Sequence, residues 1–122
     1  MSTESDTPKK LSLVVFSGTY EKVHYALVMA SAALASGRDV TLFFTMDASR
    51  ALFAPSGWRH LRTEVDGATA TSIDLSYSTR GIGTFEELLS ACASLNAKFM
   101  VCEMGLLARG LESEAKLDAL SI

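Results

Sequence analysis

The sequence predicts an α/β fold, specifically a three-layer α/β/α sandwich around a mainly parallel sheet of four to five strands. Two observations support this prediction. Short apolar runs, rich in β-branched and aromatic residues, recur along the chain and are typical of strands covered on both faces. Between them lie longer stretches whose apolar residues have helical spacing. Strands that alternate with helices favour a parallel sheet enclosed by helical layers.

The N-terminal third has the pattern of a strand–helix–strand unit. A continuous apolar run, Leu11–Phe16, is followed by a turn at Ser17–Thr19. The apolar positions of Tyr20–Ser36 then recur at three- and four-residue steps, as in an amphipathic helix. Gly37 can end this helix as a C′ glycine, and Asp39–Thr45 is a second buried strand. A unit of this length predicts parallel strands joined by a right-handed crossover.

The middle of the chain has the weakest pattern. Met46–Phe53 predicts a short helix that ends at Ala54–Gly57, and the long segment Trp58–Gly83 follows. Inside this segment we predict one strand, Thr71–Ser76. Irregular connections of that length are usually functional or mobile. The segment begins with a basic cluster and an exposed aromatic residue, Trp58–Arg62, which indicates either a docking surface for a partner protein or a solvated loop.

The C-terminal part returns to clear patterns. Thr84–Asn96 predicts a helix in which Thr84 is the N-cap and Glu87, three residues later, completes a capping box. A short strand, Lys98–Val101, follows, and it changes at Cys102 into a helix that ends near Gly110.

The end of the sequence predicts little further structure. Glu112–Leu120 can form one more short helix. A final strand is missing or reduced to Leu120–Ile122. Such a sheet would have an open edge, which another subunit could cover.

Length and composition predict one globular domain over residues 11–122, preceded by a disordered polar tail over residues 1–10. Hydrophobic residues make up 48% and charged residues 20% of the 122 residues. The net charge of −3 gives no reason to expect nucleic-acid binding. No apolar run reaches the roughly 18 to 20 residues of a membrane span, and the first residues lack the apolar core of a signal peptide. We therefore expect a cytoplasmic protein.

Two cysteines are too few for a disulfide scaffold, and no spacing predicts a zinc site, so we expect no metal and no other cofactor. Cys102 lies where a strand ends, the place where open α/β sheets bind ligands. It also begins a helix, whose free N–H groups and dipole favour an anion such as a thiolate. A lone cysteine beside Val101 and Met104 is nevertheless more often a small buried hydrophobe, and the neighbouring Glu103 opposes a thiolate.

Three other features are weaker candidates. Cys92 falls on the apolar stripe of its helix and is interpreted as a core thiol, because a resolving role for Cys102 would need Cα atoms within about 7 Å. His24 could hydrogen-bond or protonate a sulfur species, although a partly exposed helix residue without a catalytic role is the more common case. The turn Ser17–Thr19 could offer N–H groups to an anion, but it lacks the G-x-G-x-x-G pattern of a nucleotide site.

Three segments resemble the DsrE/DsrF-like sulfur-transfer family, in the subgroup labelled peroxiredoxin-like. The first is the turn Ser17–Thr19 with the Ala-rich helix segment Ala26–Ala30. The second is Gly37–Thr45, with a glycine, an aliphatic strand and a Phe-Thr ending. The third and most specific is Ala97–Gly105, where a strand-borne cysteine precedes a polar residue and a methionine. Together they extend over about residues 10–110.

This resemblance implies a DsrEFH-like fold and a function. In the family, the strand-end cysteine accepts sulfane sulfur as a persulfide and passes it to a partner's thiol, which assigns the catalytic role to Cys102. The resemblance also implies a homo-oligomer, a trimer or hexamer, and sulfur-donor and sulfur-acceptor proteins such as a TusA-like carrier. The residues predicted to surround the thiol are Ser17, Gly18, Thr19, His24, Thr45, Glu103, Met104 and Gly105.

Two other functions stay open at this point. The first is a non-catalytic binding or assembly subunit on the same fold, with Cys102 buried and inert. The second is a small nucleotide- or flavin-binding protein, which the lack of a phosphate-binding motif disfavours. The accessibility of the Cys102 thiol separates the first of these from sulfur transfer.

Overall fold

A computed structural model describes residues 9–54, 56–110 and 120–121 of the chain. Four strands, four α-helices and two 3₁₀ helices form the described part. In chain order they are β1 (Lys10–Val15), α1 (Tyr20–Ala35), β2 (Asp39–Phe44), the first 3₁₀ helix (Met46–Leu52), the second 3₁₀ helix (Gly57–His60), α2 (Ala70–Thr79), α3 (Phe85–Ser94), β3 (Lys98–Val101), α4 (Glu103–Arg109) and β4 (Leu120–Ser121).

The strands form one parallel sheet in the order β1-β2-β3-β4. Val15 pairs with Phe44 and Phe44 with Val101, so the first three strands end side by side. Strand β4 has two residues, and Phe99 of β3 pairs with its Leu120. The predicted α/β class with a parallel sheet is confirmed. The sheet has four strands, which is the low end of the predicted four to five, and the fourth strand is very short.

One face of the sheet is buried beneath helices. Helix α1 packs against β1, β2 and α3. Because side chains alternate along a strand, every second residue of each strand faces these helices. The buried strand residues are Val15, Val40, Leu42, Phe44, Phe99 and Val101. Burying each of these large side chains is worth about 1.5–3 kcal/mol.

The opposite face of the sheet is more open. Val14 is 73% exposed and Phe16, just beyond the end of β1, is 62% exposed. Val14 pairs with Phe43 and Phe43 with Met100, and the last two are half-buried. Each connection joins a strand to its next neighbour, so the chain progresses across the sheet from β1 to β4 without reversing. Right-handed crossovers that all progress in one direction place their helices on the same face of the sheet. The described helices therefore cover one face more fully than the other.

The connection between β2 and β3 encloses an aromatic cluster. The Trp58 ring is stacked on Phe85, with 5.2 Å between centroids, and its Nε1 donates a hydrogen bond to Glu86 at 2.8 Å. Asp74 accepts hydrogen bonds from the Tyr20 hydroxyl and the Phe85 amide. Trp58 is only 2% exposed, so the prediction of an exposed aromatic at this position is wrong. Within the cluster Trp58–Arg62 the apolar residues Trp58 and Leu61 are buried, whereas its basic side chains are exposed.

The predicted strand Thr71–Ser76 is also wrong, because these residues belong to helix α2. Thr69 and Ser72 form a reciprocal capping box that begins the helix. Ile73 and Tyr77, four residues apart, then lie on one helix side and pack against the core. The short helix predicted after β2 is present as the first 3₁₀ helix.

The ends of the domain differ slightly from the prediction. Strand β1 begins at Lys10, one residue inside the segment predicted as tail, and residues 1–8 lie outside the described part. Of the predicted helix Glu112–Leu120, residues 112–119 are also outside the described part, and Leu120 belongs to strand β4 instead. None of the described helices combines the length and apolarity that crossing a membrane requires.

Candidate functional site

The carboxyl edge of the sheet brings three strand ends together. The Thr45 amide donates to the Val15 carbonyl at 3.1 Å, and the Cys102 amide donates to the Phe44 carbonyl at 2.9 Å. The residues that follow β1, β2 and β3 are therefore neighbours. This is the edge at which open α/β sheets bind their ligands.

Cys102 joins β3 to α4 and is the N-cap of that helix. Its backbone is extended, with φ −78° and ψ 116°, while its carbonyl accepts the first helical hydrogen bond from Leu106 at 3.0 Å. The Sγ atom accepts a hydrogen bond from the Gly105 amide at 3.4 Å. The sulfur thus replaces the side-chain oxygen of an ordinary cap. The residue is half-buried and its thiol is free.

Gly105 allows the first turn of α4 to approach β2 closely. A Cβ at this position would lie 2.9 Å from the Met46 amide nitrogen and 3.0 Å from the Thr45 hydroxyl. Contacts this short are not tolerated, so a side chain at residue 105 would displace the helix or its neighbour. The structure therefore brings Thr45, Cys102 and Gly105 together.

The outer side of α4 presents apolar residues beside the thiol. Met104 is 78% exposed and Leu107, three residues later, is 59% exposed. Leu106 is buried and holds the opposite side of the helix against the core. Glu103 is exposed, so water screens its carboxylate from the sulfur.

The turn after β1 lies at the same edge and is organised by Arg62. The Arg62 amide donates to the Gly18 carbonyl at 3.1 Å, and the Tyr20 amide donates to the Arg62 carbonyl at 2.7 Å. The Thr19 hydroxyl donates to Glu64 at 3.0 Å and lies 3.1 Å from the Ser17 hydroxyl. The sequence identifies Arg62 only as part of the basic cluster Trp58–Arg62 and does not relate it to this turn.

A cavity of about 370 Å³ opens beside the same turn. It extends from Phe16, Ser17 and Gly18 to the start of the first 3₁₀ helix. Arg109, from the last turn of α4, reaches it and forms an ion pair with Asp47 at 3.3 Å. Asp47 and Arg109 were not singled out from the sequence, since nothing in their spacing relates them.

His24 lies in the aromatic cluster rather than at the thiol. It is 4% exposed, its Nε2 is 2.8 Å from the Gly83 carbonyl oxygen, and its ring is 4.8 Å from Tyr77 and 5.5 Å from Tyr20. The expectation of a partly exposed His24 is wrong. None of its contacts within the described residues involves Cys102, so the geometry gives it no part in proton transfer there.

Cys92 is a core thiol. It is fully buried, its Sγ is 3.7 Å from the Leu27 carbonyl oxygen, and burial raises its pKa from 9.0 to about 11. Its carbonyl accepts a hydrogen bond from Ala97, just before β3, whereas Cys102 follows the other end of that strand. Four strand residues extend over roughly 13 Å, and a disulfide needs Cα atoms within about 7 Å. We therefore infer no resolving role for Cys92.

Among residues 9–54, 56–110 and 120–121, no cluster of three or more His, Cys, Asp or Glu side chains could hold a metal ion. The chemistry that the edge itself can support is that of a partly accessible thiol. Next to it lie a backbone N–H donor, an apolar helix surface and a cation-lined cavity.

Comparisons with known proteins agree with this architecture. The crystal structure of the YchN protein from E. coli is similar to this chain, with a TM-score of 0.60 and 20% sequence identity. The similarity covers 95% of this chain and 84% of that one, and at this identity it shows a shared fold. No curated protein matches the sequence. The model of the DsrE/DsrF-like family matches residues 9–122, which confirms the resemblance inferred from the sequence. The chain belongs to the DsrE/DsrF-like family.

Proposed function

We propose that this protein is a sulfur carrier or sulfurtransferase that takes up sulfane sulfur as a persulfide on Cys102 and passes it to a partner protein's thiol. Membership of the DsrE/DsrF-like family favours a role in sulfur relay. One observation carries the assignment to a residue. Of the two free thiols, Cys102 is partly accessible at the carboxyl edge of the sheet, whereas Cys92 is sealed in the core.

Sulfur uptake needs only a thiolate and a donor. The Cys102 thiolate attacks the outer sulfur of a donor persulfide, the donor's S–S bond breaks, and the donor leaves as a thiolate. Cys102 then carries the outer sulfur and its proton. The Gly105 N–H, which already donates to Sγ at 3.4 Å, stabilises negative charge on that atom before attack.

Sulfur delivery is the same reaction in the opposite sense. The acceptor's thiolate attacks the outer sulfur of the Cys102 persulfide, the S–S bond breaks, and Cys102 is released as a thiolate. The partner must bring its own thiol close to α4. The exposed Met104 and Leu107 offer an adaptable apolar surface for that contact. A small thiol carrier of the TusA-like kind has the required chemistry, and no cofactor enters either step.

The same proposal includes assembly and location. The exposed Val14 and Phe16 on the open face of the sheet would be covered in a homo-oligomer, a trimer or hexamer. A reducing cytoplasm would keep Cys102 as a thiol between transfers. The second candidate is a non-catalytic assembly or binding subunit, which the exposed sheet face also favours. The partial accessibility of Cys102 argues against the inert thiol that this alternative requires.

Intact-mass measurement tests the proposal. The reduced protein is incubated with polysulfide or thiosulfate, and we expect a mass increase of one sulfur atom. Cys102→Ser should abolish the adduct, and Cys92→Ser is the matched control that should retain it. Incubation of the loaded protein with an acceptor thiol should then remove the added sulfur.

Two results would contradict the proposal that Cys102 transfers sulfur. An adduct that persists in Cys102→Ser would place the sulfur elsewhere. Wild-type protein that alkylates at Cys102 yet takes up no sulfur from any donor would favour the assembly subunit instead.

A further inference from the structure

The cavity at the turn after β1 is lined by an excess of positive charge. The side chains of Lys22, Arg62 and Arg109 line it, against the single carboxylate of Asp47. A second cavity, of about 240 Å³, shares Gly18, Asp47 and Arg62 with the first and adds Arg50 and His60. The chain as a whole carries a net charge of −3, so the charge of this site is opposite to that of the protein.

Arg62 is fixed in this position by its backbone. It forms a parallel bridge with Thr19 and exchanges backbone hydrogen bonds with Gly18 and Tyr20. Its guanidinium occupies space that a side chain at residue 18 would need. A Cβ on Gly18 would lie 3.0 Å from the Arg62 Nη2 atom and 2.6 Å from the Asp47 Cβ. The glycine thus leaves room for the guanidinium at the cavity wall.

The nearby acidic groups are held by other partners. Asp47 pairs with Arg109 at 3.3 Å. Glu64 accepts a hydrogen bond from Thr19 and lies 4.0 Å from Lys22, while Glu21 accepts hydrogen bonds from the Glu64 amide. Within the described ranges, no carboxylate forms an ion pair with Arg62. Arg62 therefore lines the cavity without an ion-pair partner among the described residues.

We propose that this cavity binds a small molecule through a tetrahedral oxyanion group, with Arg62 as the principal contact and Lys22 and Arg109 beside it. The planar guanidinium presents paired N–H donors that match two oxygens of such a group. The N-terminus of the 16-residue helix α1 begins at the same turn and adds partial positive charge. Phosphate esters and oxyanions of sulfur share this chemistry. Cys102 is not among the residues that line this cavity, and the inference goes beyond the sulfur-carrier proposal.

Titration with inorganic anions tests this site. The full chain is titrated with phosphate, sulfate and thiosulfate at constant ionic strength, with chloride as the reference, and amide NMR shifts are followed. We expect saturable shifts at Gly18 and Arg62 that chloride does not cause. Tighter binding of phosphate would indicate a phosphorylated ligand, and tighter binding of thiosulfate an oxyanion of sulfur.

Matched variants identify the residues. Arg62→Gln should weaken binding about tenfold or more, because it removes a charged hydrogen-bond donor. Arg38→Gln makes the same charge change at the opposite edge of the sheet and should leave binding unaltered. Arg109→Gln removes a lining cation without altering the Arg62 backbone contacts and should also weaken binding. Cys102→Ser should bind anions as the wild type does.

The proposal is overturned if none of the three anions gives saturable shifts. It is equally overturned if Arg38→Gln and Arg62→Gln lose affinity to the same extent, since that result would indicate attraction by net charge alone. Loss of anion binding in Cys102→Ser would show that the cavity is not an independent site. Failure of sulfur uptake at Cys102 leaves these outcomes unchanged.

Discussion

The two faces of the sheet carry similar side chains in different surroundings. On one face, Leu42 and Phe99 are buried in the core cluster, which also includes residues of helices α1 and α3. On the other face, Val14 is largely exposed and its neighbour Phe43 is half-buried. Both sets come from the same apolar runs, so hydrophobicity alone does not tell which face is covered. Which face is covered depends on the direction in which successive right-handed connections progress across the sheet, because this direction places their helices.

The two thiols differ in the same way. Cys92 belongs to the covered side, where burial suppresses ionisation. Cys102 lies at the edge of the sheet, where the chain leaves the core and begins a short helix. A reactive thiol needs exposure to its partners, and of the two positions only that of Cys102 offers it.

The largest expected effect is on stability at the covered face. Leu42→Ala should lower the free energy of unfolding by about 2–5 kcal/mol, because it leaves a cavity among fully buried neighbours. Val14→Ala, on the adjacent strand but the open face, should change it by less than about 0.5 kcal/mol. Denaturant unfolding of both variants measures the contrast. Equal losses would show that the open face is packed as tightly as the covered one.

The second expected effect is on thiol labelling. Under native conditions, iodoacetamide should modify Cys102 and spare Cys92. A pKa raised from 9.0 to about 11 lowers the thiolate fraction of Cys92 near neutral pH about a hundredfold, and burial slows the reagent further. Peptide mapping by mass spectrometry at timed intervals gives the two rates. Comparable rates in the folded protein would remove the distinction on which the assignment of Cys102 depends.

The third expected effect is on pH dependence. In the folded protein Cys92 has a raised pKa, so its neutral form is favoured there, and its contribution to stability is fully present below pH 9.0. Above that pH the unfolded chain ionises first, and stability should fall by up to about 3 kcal/mol by pH 11. Burial and the bond to Asp74 also raise the pKa of Tyr20, which acts in the same direction. Unfolding curves from pH 8 to pH 11 measure the decline, and Cys92→Ala should make it shallower. An equal slope in that variant would contradict the assignment.

The smallest expected effect on stability accompanies a change in assembly. Val14→Ser should alter unfolding in dilute solution by less than about 0.5 kcal/mol, because the side chain is already exposed. If the open face is an interface between copies of the chain, the same variant should shift sedimentation toward smaller species. The matched control is Val65→Ser, which changes an exposed valine outside the sheet. A shift shared by both variants would argue against the sheet face as the interface.

The sheet and the position of Cys102 were predictable because they depend on local patterns. Continuous apolar runs identify buried parallel strands, and a strand followed by helical spacing locates the junction at Cys102. Thr84 and Glu87 also predicted the start of α3, and both hydrogen bonds of the capping box are present. In each case the signal lies within a few residues of the structure that it predicts.

The middle of the chain was not predictable in this way, because its structure depends on distant contacts. Ile73, Leu75 and Tyr77 alternate as in a strand, but Ile73 and Tyr77 pack against a core that the rest of the chain supplies. Trp58 is buried because Phe85, far along the sequence, stacks on it. The pairing of Arg62 with Thr19 is likewise invisible in the sequence.

Gly105 gives experimental control over the reactive edge. A methyl group at this position would occupy space that Met46 and Thr45 already fill. The added methyl group of Gly105→Ala would therefore displace the start of α4, together with the Cys102 sulfur, away from the end of β2. One added carbon would shift the Cys102 thiol and also strain the packing of the neighbouring Leu106 in the core.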